Sequence, residues 1–141
     1  MRVTLALPLA LLLPLMLAGC SLSALLMPDA GEQPQAEVDD RFPDVLTVRL
    51  VPAGERTYDV RVTISSPYDT PQRYADGWRV LAPDGTVLGT HTLMHDHASE
   101  QPFTRTQRAL HIPAGVDTVT VEGRDQANGF GGATITLEVP E

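Results

Sequence analysis

The chain has 141 residues, a formal net charge of −8 and one cysteine. All ten basic residues are arginine, against eighteen acidic ones. The length suits one domain behind a targeting segment and excludes two. The acidity argues against nucleic acid as a partner, because phosphate backbones repel such a surface. A single cysteine excludes an internal disulfide.

In chain order, residues 1–19 read as a secretory signal. Arg2 supplies a positive start, an apolar run extends from Leu5 to Leu17, and the small residues Ala18 and Gly19 precede Cys20. The run is short for a membrane-spanning helix, which needs about 20 apolar residues, and Pro8 and Pro14 interrupt it.

The string Leu17-Ala18-Gly19-Cys20 resembles the lipobox of bacterial lipoproteins. The resemblance implies a diacylglyceryl thioether on Cys20, cleavage before it, and acylation of the new amino group by a palmitate-type chain. It implies a membrane anchor, since two or more chains hold where one binds marginally. Ser21 stands where an inner-membrane retention Asp is found in Gram-negative lipoproteins. The resemblance therefore implies the outer membrane, on its periplasmic face. Residues 20–42 follow as the lipidated cysteine and a flexible acidic tether. Pro28, Asp29, Gly31, Glu32, Pro34, Glu37, Asp39 and Asp40 leave too little apolar content there to repay ordering.

From residue 43 to 141 the pattern changes to period two. Leu46, Val48 and Leu50 alternate with Thr47, Arg49 and Val51. Tyr58, Val60, Val62 and Ile64 do the same, as do Ile135, Leu137 and Val139. Such alternation marks half-buried strands. Breakers such as Pro83-Asp84-Gly85 and Pro113-Ala114-Gly115 separate the runs. Seven strands are expected, near 44–51, 56–65, 75–82, 86–94, 104–112, 117–123 and 133–140. The segment Ala82 to Thr86 is a hairpin signal. The expectation is an all-β antiparallel sandwich. Trp78, on the third strand, resembles the core tryptophan of immunoglobulin-like domains. Without the inter-sheet disulfide, the resemblance implies a fibronectin-III-type or bacterial immunoglobulin-like variant. Trp78, Val80, Tyr58, Val60, Val62, Val119, Val121, Ile135 and Leu137 are the expected core.

All four histidines, His91, His95, His97 and His111, fall in one short window. Imidazole is the commonest metal ligand near neutral pH, so copper or zinc is the candidate cofactor. On a straight strand His91 and His95 stand about 13 Å apart, too far to share an ion. His95 and His97, about 6.6 Å apart on one side, can share one. A third ligand has to come from Glu100, His111 or His91. No nucleophile elbow and no glycine-rich phosphate loop is present, so no enzyme is expected.

Phe103 and Arg105, with Phe130 in the run Gly129-Phe130-Gly131-Gly132, form a candidate partner patch. The segments Glu100–Thr106, Ile112–Val116 and Gly129–Gly132 resemble small uncharacterised proteobacterial envelope proteins. The expected function is that of a membrane-anchored periplasmic lipoprotein acting as a non-enzymatic binding or accessory module toward another envelope protein. The alternative is a copper- or zinc-binding lipoprotein using the His91/His95/His97 region.

Overall fold

The computed structural model describes residues 40–141. The signal segment 1–19, Cys20 and the tether as far as residue 39 lie outside the described residues. Eight strands follow: β1 (Asp44–Gly54), β2 (Thr57–Ser65), β3 (Ala75–Leu81), β4 (Val87–Thr92), β5 (Phe103–His111), β6 (Thr118–Asp125), β7 (Gly129–Phe130) and β8 (Ile135–Glu138). They form two antiparallel sheets. One has the order β1-β2-β5; the other runs β4-β3-β6, with β7 and β8 both pairing β6. This is the expected β-sandwich. The last expected strand, 133–140, is β8, which pairs Thr118 to Val121, and β7 is an additional two-residue strand in the glycine-rich run before it, pairing Arg124 and Asp125.

Period-two side chains of β2, β3 and β6 meet between the sheets. Val60, Val62, Ile64, Trp78, Val80 and Val121 are fully buried, and each such aliphatic side chain contributes about 1.5–3 kcal/mol. The Trp78 indole N–H donates to Gln107 Oε1 at 3.0 Å, so its one polar atom is satisfied in the core. Ile135 and Leu137 are only half-buried, because β8 is an edge strand.

Two details depart from the sequence pattern. Val45 pairs with Ile64 and Thr47 with Thr63, which leaves Leu46 as an extra residue in a bulge. The bulge shifts the phase of β1, as a one-residue slip must. Val45 takes the buried place, and Leu46 stands 44% exposed rather than sharing a face with Val48 and Leu50. The second departure is at Gly77. Its φ is +151°, and a Cβ there would stand 2.0 Å from the His91 carbonyl oxygen, so only glycine lets β3 and β4 approach so closely.

The hairpin between β3 and β4 follows its turn chemistry. Ala82 N donates to Thr86 O and Gly85 N to Ala82 O, both at 2.9 Å, and Asp84 Oδ1 accepts from Thr86 N at 2.9 Å. This turn, the β1–β2 turn, loop 112–117 and the C-terminal residues share one end of the sandwich. Arg56 closes that end, donating to the carbonyls of Ile112, Pro113 and Val116. Loops 66–74 and 93–102, turn 126–128 and the segment leading into β1 share the other end.

Candidate functional site

The histidine loop, residues 93–102, belongs to this second end. Its backbone is held by polar side chains that sequence alone did not single out. Asp69 is buried, accepting Ala75 N on Oδ1 and His97 N on Oδ2, each at 3.0 Å. The Gln101 amide donates to Ser66 Oγ and His97 O, while its Oε1 accepts from Ser66 N. Loops 66–74 and 93–102 therefore lock each other. A second knot involves Asp125, which is fully buried. Its Oδ1 accepts from Ala127 N, Asn128 N and Asn128 Nδ2, and its Oδ2 from Arg73 Nε. Arg73 also donates to the carbonyls of Asp40 and Arg41, pinning the chain just before β1. The glycines of the later loop make room for that incoming segment: a Cβ on Gly131 would meet the Phe42 ring, and one on Gly132 the Pro43 carbonyl.

Within this frame the histidines separate. His97 is 2% exposed and stacks on Phe103, with ring centroids 3.9 Å apart and planes 14° from parallel. The His95 ring lies 4.8 Å from His97, tilted by 34°. Both His97 ring nitrogens are buried without a partner among the described residues. Burial holds the His97 imidazole below the usual histidine range, helped by the nearby Arg105 and His95. His95 is exposed, and its Nδ1 lies 2.8 Å from Asp96 O. His91 stands apart on β4, its ring tilted by 31° against Trp78 at 4.2 Å and its pKa pushed down by burial. His111 is exposed at the far end of β5, opposite Thr57. Glu100 is engaged by Arg105 at 2.9 Å. The structure thus brings His95 and His97 together and leaves His91 and His111 elsewhere; Glu100 stays in the same loop, its N–H donating to the His97 carbonyl at 3.0 Å, but its carboxylate is taken by Arg105. Among the described residues no three His, Cys, Asp or Glu side chains gather as a metal-ion site.

The aromatic candidates separate as well. Phe103 is core, 2% exposed. Arg105 leans over it, 5.6 Å from its ring centroid. Phe130 lies on the five-stranded sheet under Arg79, 4.1 Å from that guanidinium, and Arg124, 5.7 Å away. The most exposed large apolar side chain among the described residues is Met94, at 82%, next to His95.

The protein defined so far is an antiparallel β-sandwich with one end of interlocked loops. No family model and no solved structure matches the chain. A protein of the halophilic archaeon Halomicrobium mukohataei, whose name proposes it as a lipoprotein, is 37% identical over 109 residues, or 77% of this chain. The chain spans about half of that relative, 53% of its length.

Proposed function

We propose that the protein is a membrane-anchored lipoprotein of the cell envelope, lipidated at Cys20 after removal of residues 1–19, whose sandwich is a non-enzymatic binding or accessory module. The observation that carries this reading is the lipobox-like string Leu17-Ala18-Gly19-Cys20, and the archaeal relative's lipoprotein name agrees with it. The sandwich adds support. The buried Asp69 and Asp125 and the half-buried Gln101 are spent on loop backbone, which makes a rigid platform rather than a reaction centre. Residues 20–42 are the proposed tether, and its last part is held to the domain where Arg73 donates to the Asp40 and Arg41 carbonyls. Attachment to the outer membrane rests on Ser21 alone.

Fractionation of cells producing the full chain or Cys20→Ser tests the anchor. Wild type should sediment with membranes and take up an alkyne-palmitate label; an unlabelled wild type, or a Cys20→Ser protein still in the membrane fraction, refutes lipidation. In-cell crosslinking tests the module, and recovery of no envelope component above background counts against it.

A copper or zinc site is the second reading. It is supported by the His95–His97 ring pair and the unpartnered His97 nitrogens. Calorimetric titration of the full chain with Zn(II), Cu(II) and Cu(I) decides it. Equal binding by wild type and a His95→Ala/His97→Ala variant removes it.

A further inference from the structure

The outer face of the three-stranded sheet carries polar side chains in rows. Thr63 pairs with Thr47 on one side and Thr104 on the other; Arg61 pairs with Arg49 and Thr106. The threonine row is tied by its hydroxyls, 2.9 Å between Thr47 and Thr63 and 2.8 Å between Thr63 and Thr104. The next row sets two arginines directly opposite each other. Such neighbours have Cβ atoms about 4.5–5.5 Å apart, and like charges there destabilise a sheet.

No carboxylate among the described residues pairs with either guanidinium, since Asp59, two residues from Arg61 on the same face, is engaged by Arg108 and the Ala109 N–H. Arg49 and Arg61 make no hydrogen bond or ion pair there. Arg73, Arg79, Arg105, Arg108 and Arg124 each hold a carboxylate, and Arg56 holds three carbonyls. Among the described residues of a chain with a net charge of −8, this arginine pair on an exposed face holds no carboxylate.

Around the pair is a shallow depression of about 340 Å³ lined by Thr47, Arg49, Arg61, Thr63 and Thr104. Arg61 also lines a second, of about 270 Å³, with Val51, Asp59, Thr106 and Arg108, and there Asp59 is taken up by Arg108 at 2.9 Å and by the Ala109 N–H at 3.0 Å. The two make a continuous open track across the strands.

We propose that this face binds an acidic glycan, a linear sugar polymer whose carboxylates sit between Arg49 and Arg61 and whose hydroxyls meet the threonine row. Guanidinium forks match carboxylates in two-point geometry, and threonine hydroxyls both donate and accept. The alternatives fit less well. A small metabolite needs a concave pocket that buries most of it, whereas this track is open. Single-stranded nucleic acid is held on aromatic platforms, and neither depression has an aromatic lining residue. An extended peptide adds to a strand edge, and this is a sheet face. The acidic remainder of the surface is screened beyond about 8 Å at physiological salt, so attraction is local and weakens as salt rises.

This inference rests on the binding-module reading and is independent of the lipid. Calorimetry on the full chain in non-ionic detergent, at low and physiological salt, tests it with three probes: oligogalacturonate, a neutral malto-oligosaccharide and poly-glutamate. Oligogalacturonate should bind, at least tenfold more weakly to Arg49→Gln/Arg61→Gln and unchanged to Arg79→Gln on the other sheet. Arg61→Lys, which keeps the charge and loses the fork, should weaken it several-fold. Circular dichroism checks that each variant is folded. No binding by wild type, equal binding by the double variant, or poly-glutamate binding as tightly as oligogalacturonate would overturn the proposal. Envelope crosslinks that persist while oligogalacturonate fails to bind would overturn this ligand and leave the module reading standing.

Discussion

Asp125 is the side chain whose loss should be felt most at the loop end. Asp125→Ala removes the acceptor for Ala127 N, Asn128 N and Asn128 Nδ2, at 3.1, 2.8 and 2.6 Å. It also leaves Arg73, whose side chain is 35% exposed, without its carboxylate. Breaking a buried pair on one side costs about 3–5 kcal/mol. The partial exposure of Arg73 lets water answer for some of its charge, so about 3 kcal/mol is expected. For a domain of this size each kcal/mol lowers Tm by roughly 4–8 °C, giving a fall of roughly 12–24 °C. Urea unfolding should show a lower midpoint with an unchanged slope. Arg73→Ala removes the same ion pair from the other side and strands a fully buried carboxylate. The double variant should therefore be less destabilised than the sum of the singles, by on the order of 1–2 kcal/mol. A loss below about 1 kcal/mol for Asp125→Ala, or strict additivity in the cycle, would refute the view that this pair ties three segments together.

Two pH limbs follow from buried groups. Burial holds His97 and His91 below the ordinary histidine value, so as pH falls past about 6.5 the unfolded chain takes up protons that the folded one refuses. Stability is then complete above about pH 7 and declines in acid; His97→Leu should flatten part of that decline in urea midpoints between about pH 7 and 5, and an unchanged slope would count against it. Tyr68 is pushed up, chiefly by burial and then by the Asp125 charge, so its contribution is complete below about pH 10 and is lost as pH rises further. Tyr68→Phe should soften the alkaline limb, and identical wild-type and variant midpoints above about pH 10 would contradict this. Gly77→Ala places a Cβ 2.0 Å from the His91 carbonyl oxygen and should cost on the order of 3 kcal/mol. The emission of Trp78, which pairs with His91 across the same strands, should shift with it; a native spectrum and midpoint would show that the strands part without penalty.

Most of the architecture was legible as alternation. Tyr58, Val60, Val62 and Ile64 point one way along β2 because side chains of a strand alternate faces, and all four are buried. The turn at Ala82–Thr86 was legible because its residues carry the turn's own chemistry, with Gly85 at φ +85°. The bulge at Leu46 was not, since period two cannot show where a strand gains a residue. Of the candidate ligands, His95 and His97 could be paired from spacing alone. The pairing of Glu100 with Arg105, five residues on, was within reach of local spacing too; the placing of His91 against Trp78 was not, because that partner comes from another strand.

Local order along the chain determined the acidic balance, the strand spacing and the central place of Trp78. These depend on periodicity and on neighbours within a few residues. Only the tertiary structure decided which polar residues meet. Asp69 reaches His97 across 28 positions, Asp125 reaches Arg73 across 52, and Arg49 faces Arg61 through the pairing of β1 with β2. Sequence displayed the threonines and arginines of three strands as ordinary outward residues. Strand order placed them side by side, and with the neighbouring Asp59 taken up by Arg108, Arg49 and Arg61 hold no carboxylate, which makes that outward face a candidate surface for an anionic partner.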